Sequence, residues 1–364
     1  MEFGDIIIDW YHKNKRDLPW RGIKDPYKIW LSEIILQQTR VEQGLPYYKK
    51  FIELFPTIFD LAKASEDKVL KLWQGLGYYS RARNMLNTAK IIVKEHKGVF
   101  PSSYEEIINL KGIGTYTASA IASFAFNIPV AVVDGNVFRL LSRYFGIDTP
   151  IDSTNGKKEF QSLALDLLNN HKPGLFNQAI MEFGSKQCKP VKPDCVNCPL
   201  IITCNAYKLK IIEKLPVKSK GLVVKKRYFH YLFVKYQLDA KDDYKFLLHK
   251  RSGNDIWKSL YELPLIETDK QTNIKQLMKE KEWKRIIGKE SPKIVSVTEN
   301  VIHKLSHQTI FTTFYEIEFK NIKVIPEGFI AVNYKEYQKY GVPRLIENYL
   351  KKHVITDSTK IKKV

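Results

Sequence analysis

All four cysteines of the chain lie in one short segment, with the spacing Cys188-x6-Cys195-x2-Cys198-x5-Cys204. The residues around them are rich in proline and lysine, so the thiols do not serve as packing groups. This clustering disfavours a disulfide framework and favours sulfur-only ligation of a metal. A zinc ribbon usually has two C-x2-C pairs, whereas this segment has one. We therefore predict a [4Fe–4S] cluster, with zinc or inert cysteines as the alternatives.

The chain has 364 residues, which is enough for two domains that each bury a core. Residues 1–214 show helical periodicity between short Gly- and Pro-rich turns, and they predict an all-helical domain that includes the cysteine loop 188–204. A Lys-containing linker over 215–226 precedes a smaller α+β domain over 227–350 and a frayed basic tail over 351–364.

The positions of the elements follow from the apolar pattern and from the residues that begin and end helices. The helices predicted in the first domain are Asp5–Tyr11, Pro26–Gln43, Glu66–Gly75, Arg81–His96, Pro101–Leu110, Tyr116–Phe126, Val137–Phe145 and Lys157–Asn169. The elements predicted in the second domain are one helix, about Ile274–Arg285, and the strands Tyr228–Tyr236, Tyr244–Leu248, Lys293–Val301, Ile310–Phe319 and Phe329–Asn333.

The chain carries 59 Lys and Arg against 39 Asp and Glu, a formal net charge of +20. This excess fits a polyanionic partner, because basic side chains displace counterions from a phosphate backbone. A solvated lysine-rich surface is the equally weighted alternative. The sequence has no secretory signal and no run of roughly 18 apolar residues, so we expect a cytoplasmic protein without a membrane partner.

Two short glycine motifs lie between predicted helices. Gly112-x-Gly114 allows a tight turn whose bare N–H groups, at a helix N-terminus, suit a phosphate; a purely structural turn is the alternative. Asp134 stands before Gly135 where a helix begins, so it is a candidate helix cap, a candidate functional carboxylate, or both.

Taken together, the glycine hairpin, Asp134 and the cysteine loop resemble the helix–hairpin–helix DNA glycosylases of the endonuclease III superfamily, over about residues 5–205. The stretches Leu18–Arg21, Trp30–Val41 and Gly75–Asn84 are similar to one branch, the adenine DNA glycosylases of the MutY type. The resemblance implies a base-excision-repair enzyme that cleaves an N-glycosidic bond and holds a [4Fe–4S] cluster.

The resemblance also implies catalytic roles. Glu33 would act as the general acid that protonates adenine, and its apolar neighbours predict the burial that raises a carboxyl pKa; a solvent-facing glutamate is the alternative. Asp134 would stabilise the sugar oxocarbenium ion, while Tyr116 and Asn136 would position the two carboxyl groups. Tyr116 stands where bifunctional members have a Schiff-base lysine, so we expect a mainly monofunctional enzyme.

The adenine must leave the base stack before it can be reached. By resemblance, Gln38 and Tyr78 probe the duplex, with Tyr78 as a wedge beside the opposing base; a core aromatic is the alternative. Thr39 and the hairpin glycines Gly112 and Gly114 are further candidates for contact with DNA. The weaker site candidates are Trp20, Arg21, Gln178 and Glu182.

The stretches Phe246–Arg251 and Trp257–Pro264 resemble the Nudix-like domain of the same glycosylases. The segment after Pro264 lacks the glutamate-rich helix of a hydrolytic Nudix box, so we predict a sensor domain and not a pyrophosphatase. The resemblance implies that this domain recognises 8-oxoguanine opposite the adenine. By resemblance the contact loop contains Ser306 and His307, and Leu305 replaces the family's Phe. A β-turn without DNA contact is the alternative.

The sequence thus predicts a monomeric, nucleoid-associated enzyme that removes adenine opposite 8-oxoguanine or guanine in double-stranded DNA. Three rivals remain. One is a mismatch thymine glycosylase of the same superfamily, which can also carry Tyr at position 116. The others are a non-catalytic iron–sulfur redox protein that binds DNA, and a nucleotide hydrolase of the Nudix type.

Overall fold

A computed structural model describes residues 2–168, 171–219, 224–236, 244–288, 292–319 and 325–360. The chain divides into two compact units, Met1–Lys63 with Asn84–Gly221, and Ala64–Arg83 with Leu222–Val364. The second division falls inside the predicted linker 215–226, of which residues 220–223 lie outside the described residues. None of the described helices is both long and apolar enough to cross a membrane.

The first unit is helical. Its helices are α1 (Phe3–Asn14), α2 (Pro26–Leu36), α3 (Val41–Leu54), α4 (Ile58–Lys63), most of α6 (Ser80–Glu95), α7 (Tyr104–Ile108), α8 (Thr115–Phe126), α9 (Gly135–Phe145), α10 (Thr154–Leu168), α11 (Pro173–Lys186) and α12 (Asn205–Lys208). One continuous core joins α1, α9, α10 and α11 through large apolar side chains such as Ile7, Leu141, Phe160 and Phe183. This core fixes the N-terminus of α9, where Asp134 stands.

Several predicted helix bounds in this unit were wrong. The predicted helix Pro26–Gln43 is two helices, because Gln38 adopts φ +55° and the chain turns between Leu36 and Val41. The helix predicted from Pro101 begins at Tyr104, because the Ser103 hydroxyl accepts the Glu106 N–H as an N-cap. The sequence analysis missed α4, α11, α12 and the part of α3 beyond Gln43. Helix α11 is buried around much of its circumference and so lacks a one-sided apolar stripe.

The second unit contains α5 (Glu66–Leu72), the first turn of α6, and a seven-stranded mixed sheet. Its strands are β1 (Lys225–Tyr236), β2 (Lys245–Lys250), β3 (Tyr261–Glu262), β4 (Leu265–Thr268), β5 (Lys293–Lys304), β6 (Gln308–Phe319) and β7 (Phe329–Val332). The main strand order is β3-β2-β1-β6-β5; β4 pairs with β1 and β7 with β2. The pairing of β1 with β6 is parallel, and the other pairings are antiparallel.

Both faces of the central strand β1 are buried. Phe229 and Phe233 point into a core that includes the C-terminal helix α15 (Arg344–Lys360), and Leu232 and Val234 point into a second core with α14 (Lys281–Ile287). Alternate side chains of a strand face opposite sides of a sheet, so one strand supports both layers. The two cores confirm the predicted α+β class of this part of the chain.

Three predictions in the second unit need correction. The helix predicted over Ile274–Arg285 is two short helices, α13 (Ile274–Leu277) and α14, because the chain turns at Glu280, which caps α14. The short strands β3 and β4 were missed. The predicted frayed tail 351–364 is wrong as far as Lys360, because α15 continues to that residue; residues 361–364 lie outside the described residues.

Candidate functional site

Glu33 lies in the middle of α2, and its residue is only 6% exposed. Asp25 caps this helix by accepting the N–H groups of Tyr27 and Lys28, and Pro26 occupies the first helical position. The Tyr116 hydroxyl, in the first turn of α8, donates to Glu33 Oε2 at 2.7 Å. The structure therefore places Glu33 and Tyr116 in direct contact, and Glu33 is buried as its apolar neighbours predicted.

Burial raises the pKa of Glu33, because an ionised carboxylate loses its hydration there. The hydrogen bond from Tyr116 and the positive charge of Arg21 lower that pKa, while the negative charge of Asp134 raises it; the net direction is upward. Burial also raises the pKa of Tyr116 well above the ordinary tyrosine value, so its hydroxyl stays protonated. The pair consists of a buried carboxyl whose pKa is raised and a neutral phenol that donates a hydrogen bond to it.

Asp134 is the N-cap of α9. Its Oδ1 accepts the backbone N–H groups of Asn136 and Val137 at 2.8 Å each, and its Oδ2 accepts the Asn136 side-chain amide at 2.7 Å. Burial raises the pKa of Asp134 and outweighs the three hydrogen bonds and the charge of Arg139, which lower it, so the net direction is upward. All three bonds are donated to the aspartate, at the positive end of a helix, which suits the carboxylate form.

Two arginines of α9 connect this cap with the cysteine loop. Arg139 donates Nη2 to Asn136 Oδ1 at 2.8 Å and Nε to the Cys188 carbonyl at 2.8 Å. Arg143 donates to the carbonyls of Lys189, Pro190, Ile212 and Leu215, and its Nη1 lies 3.6 Å from Cys188 Sγ. The sequence analysis missed both arginines, because i, i+4 spacing on a helix does not reveal which distant carbonyls they reach.

The four cysteines line one cavity, together with Arg143 and apolar side chains such as Leu140 and Phe183. Burial raises the pKa of the Cys188, Cys195 and Cys198 thiols, to about 11 for Cys198. Across the described part of the chain, no three His, Cys, Asp or Glu side chains converge closely enough to hold a single metal ion.

The predicted hairpin lies between α7 and α8. Gly112 adopts φ +77°, and a Cβ there would lie 2.5 Å from Asn84 Cβ, so this position requires glycine. Gly114 is the N-cap of α8, and a Cβ there would meet nothing within 4 Å. The N-terminus of α8 is thus open, with N–H groups available for a phosphate.

The weaker candidates of this unit gather around α11. Glu182 is buried and pairs with Arg16 at 2.6 Å and with Arg21 at 3.5 Å. The Tyr11 hydroxyl donates to Gln178 Oε1 at 3.0 Å. Arg16 and Tyr11, which the sequence analysis missed, therefore hold Glu182 and Gln178 in place.

The other predicted contact residues of this unit differ in exposure. Trp20 is buried, with its ring edge-to-face against Tyr48, so it is a packing residue in this structure. Gln38 is exposed, and the neighbouring Thr39 hydroxyl donates to the Gln37 carbonyl at 3.2 Å.

In the second unit, Tyr78 is 50% exposed and adopts φ +46°. Ser306 and His307 are exposed in the turn between β5 and β6, where Leu305 N–H donates to the Gln308 carbonyl at 2.8 Å. The Ser306 hydroxyl lies 3.2 Å from His307 Nδ1. Both side chains are accessible to a binding partner, so the predicted sensor loop is an exposed β-hairpin turn.

Two family models match the chain, one described as "HhH-GPD superfamily base excision DNA repair protein" over residues 31–165, and one as a NUDIX domain over residues 238–352. The helical unit with its hairpin and Asp134 cap is therefore that of a helix–hairpin–helix base-excision-repair protein. A thermostable thymine-DNA glycosylase structure matches with a TM-score of 0.53 and 30% identity, covering 57% of this chain and 95% of that one.

An adenine DNA glycosylase of Buchnera aphidicola (subspecies Acyrthosiphon pisum) is 36% identical over 358 residues, covering 96% of each chain. The human adenine DNA glycosylase is 42% identical over 213 residues, which is 56% of this chain and 39% of the human one. The chain belongs to the adenine DNA glycosylase family. The predicted resemblance, the two-domain fold class and the glycosylase enzyme class are confirmed.

Proposed function

We propose that this protein removes adenine from duplex DNA where adenine is mispaired with 8-oxoguanine or guanine. The observation that carries the proposal is the buried Glu33 carboxyl, with a raised pKa, held by Tyr116 in the same unit as the capped carboxylate of Asp134. A pair of carboxyl groups in different environments is what cleavage of a glycosidic bond requires. The enzyme acts as a monomer.

The two carboxyl groups divide the work. Protonated Glu33 donates its proton to adenine at N7, so the base leaves as a neutral molecule. Asp134 stays ionised and stabilises the positive charge that develops on the sugar, since its three hydrogen bonds suit the carboxylate. Asn136 and Tyr116 orient these groups. Water then adds to the sugar cation and gives its proton to the Glu33 carboxylate, which leaves an abasic site and restores the acid.

Tyr116 also limits the chemistry to base removal. A tyrosine side chain has no amine nitrogen, so it cannot form the Schiff base that leads to strand cleavage. The product is therefore an intact strand with an abasic site, which breaks only after treatment with alkali.

A single-turnover assay tests this function. The duplexes carry A:8-oxoguanine, A:G or T:G at the same position, and the released base is identified. We expect adenine from the first two and no thymine from the third. Release of thymine from T:G would favour the mismatch thymine glycosylase, and absence of any base release would favour a non-catalytic DNA-binding protein.

We further propose that Cys188, Cys195, Cys198 and Cys204 hold a [4Fe–4S] cluster. Their sulfur-only donor set fits such a group, and all four line one cavity. When bound, the cluster supplies four metal–sulfur bonds that cross-link the loop. Arg143 fixes the start of the loop through the carbonyls of Lys189 and Pro190, and it also donates to the carbonyls of Ile212 and Leu215 beyond the loop.

The metal content of the purified protein distinguishes the alternatives. We expect brown protein with broad visible absorption, containing iron and acid-labile sulfide in equal amounts. Cys198→Ser should remove most of this absorption. Stoichiometric zinc without iron would overturn the cluster proposal. Metal-free protein with full activity would show that the cysteines bind no metal that the reaction needs.

The turn of the second unit is proposed to read the base opposite adenine. Ser306→Ala with His307→Ala should lower the rate on A:8-oxoguanine relative to A:G by about threefold to tenfold, because two exposed hydrogen-bonding groups are lost. Single-turnover rates on the two duplexes measure this ratio. Ser252→Ala with His12→Ala removes exposed residues of the same types as a control. An equal loss on both duplexes would contradict lesion reading by this turn.

A further inference from the structure

The loop that carries Tyr78 is held by its own aromatic and cationic side chains. Trp73 donates Nε1 to the Gly77 carbonyl at 3.0 Å, and Arg81 donates Nη2 to the carbonyls of Leu76 and Gly77 at 3.2 Å each. The Arg81 guanidinium lies over the rings of Trp73, at 5.0 Å, and Tyr78, at 5.8 Å. The backbone of Tyr78 is in the left-handed region, which costs free energy and persists because these contacts hold it.

The helix before this loop, α5, and the first turn of the helix after it, α6, belong to the same unit as the mixed sheet. The Asp67 carboxylate of α5 lies 2.7 Å from the Lys250 ammonium, and Lys71 donates to the Tyr340 carbonyl at 3.1 Å. The Val342 N–H donates to Gln74 Oε1 at 3.3 Å. A Cβ on Gly341 would lie 3.3 Å from the backbone of Leu70, so the two segments approach closely.

One contact leads from this loop toward the sensor turn. Arg83, in the first turn of α6, donates Nη1 to the Lys258 carbonyl at 2.7 Å. The segment Trp257–Ser259 is itself constrained, since Trp257 and Ser259 have φ of +60° and +67°. The Ser259 N–H donates to the Arg251 carbonyl at 2.8 Å, which stabilises this conformation.

Trp257 completes the connection. Its ring packs edge-on against His303, with the centroids 5.7 Å apart. His303 lies in β5, just before the turn that carries Ser306 and His307. Within the second unit, a continuous series of contacts therefore joins Arg83 to the sensor hairpin through the segment Trp257–Ser259.

We propose that Arg83 is a positioning residue for recognition of the opposing base: through the Lys258 carbonyl and Trp257, it holds the Tyr78 loop at a fixed separation from the turn with Ser306 and His307. Because the Tyr78 loop and the turn are held in one fixed arrangement, both contact the duplex with a smaller loss of conformational entropy than two independently moving segments. This inference rests on the proposed function, in which Tyr78 and the turn touch the mispair.

Arg83→Met tests the proposal, because it keeps the length of the side chain and removes its donors. We expect the ratio of single-turnover rates on A:8-oxoguanine and A:G to fall by about tenfold. Arg83→Lys keeps one donor and the charge, and it should restore part of the ratio. Lys90→Met is the matched control, since it removes one positive charge from an exposed position of the same helix, α6.

A second readout separates positioning from a general loss of structure. A duplex with 2-aminopurine beside the opposing base becomes more fluorescent when that base is unstacked by the wedge. Arg83→Met should reduce this increase at saturating protein, as Tyr78→Leu does. His303→Ala removes the ring contact with Trp257 and should act in the same direction, which keeps the proposal testable if Arg83→Met does not fold.

A double-mutant cycle decides whether the two probes are linked. Arg83→Met combined with His307→Ala should lower the rate ratio less than the product of the two single effects, because both act on one connected support. Multiplicative effects, or an Arg83→Met protein equal to Lys90→Met in both readouts, would overturn the inference. If the wild-type protein releases no adenine from either duplex, the proposed function fails instead.

Discussion

Glu33→Gln lowers the single-turnover rate of adenine excision by about 10²–10⁴-fold, which is the usual contribution of a general acid. Glutamine keeps the size of the side chain and can still accept the Tyr116 hydrogen bond, but it has no acidic proton to donate. Binding to the A:8-oxoguanine duplex should change little, so the loss should be in the chemical step. Glu53→Gln, at an exposed position of α3, is the control with the same chemical change.

The pH dependence gives a second measure of the same assignment. The pKa of Glu33 is raised, so its protonated form persists to higher pH than that of an exposed glutamate, and the excision rate should fall as pH rises through that pKa. The Tyr116 hydrogen bond lowers this pKa. Tyr116→Phe should therefore move the descending limb to higher pH. A limb that stays in place, or full activity of Glu33→Gln, would show that Glu33 is not the acid.

Asp134→Asn is expected to lower the excision rate by about 10³-fold, since one buried negative charge opposite the developing sugar cation is removed. Asparagine is as good an N-cap as aspartate, so the cap of α9 and the fold should be preserved. Asp25→Asn makes the same change at the cap of α2, where Asp25 Oδ1 accepts two backbone N–H groups, and it should leave the rate nearly unchanged.

The two aspartate variants together separate charge from capping. The measurement is the single-turnover rate on A:8-oxoguanine, with the thermal unfolding midpoint of each variant beside it. We expect Asp134→Asn and Asp25→Asn to shift the unfolding midpoint by similarly small amounts, and only Asp134→Asn to lower the excision rate strongly. If Asp134→Asn keeps its rate, Asp134 is a structural cap and the sugar cation is stabilised by another group.

The local features of the site were predictable because they depend on neighbours in sequence. The apolar residues around Glu33 predicted its burial, and the position of Asp134 before Gly135 predicted the cap of α9. The break in the predicted helix Pro26–Gln43 was not predictable, because no Gly or Pro marks the left-handed residue Gln38.

Contacts between segments far apart in the sequence could not be predicted from the sequence pattern. Arg139 reaches the Cys188 carbonyl, and Arg83 reaches the Lys258 carbonyl; a backbone acceptor leaves no mark in the residue type that carries it. The grouping of Ala64–Arg83 with the second unit also rests on such contacts. Periodicity places α5 among the helices of the first half, and only tertiary packing assigns it to the other unit.

The membership of Ala64–Arg83 in the second unit bears on how this protein can be shortened. Val69, Leu70 and Trp73 are almost fully buried, and the segment that contains them packs with residues beyond position 222. A chain truncated within the linker 215–226 would keep Ala64–Arg83 but lose the strands of the same unit. The contacts of Lys71 with the Tyr340 carbonyl and of Gln74 with the Val342 N–H would be lost, so a loss of lesion preference would also report a changed segment beside Tyr78. Point substitutions in the full-length chain avoid this confusion.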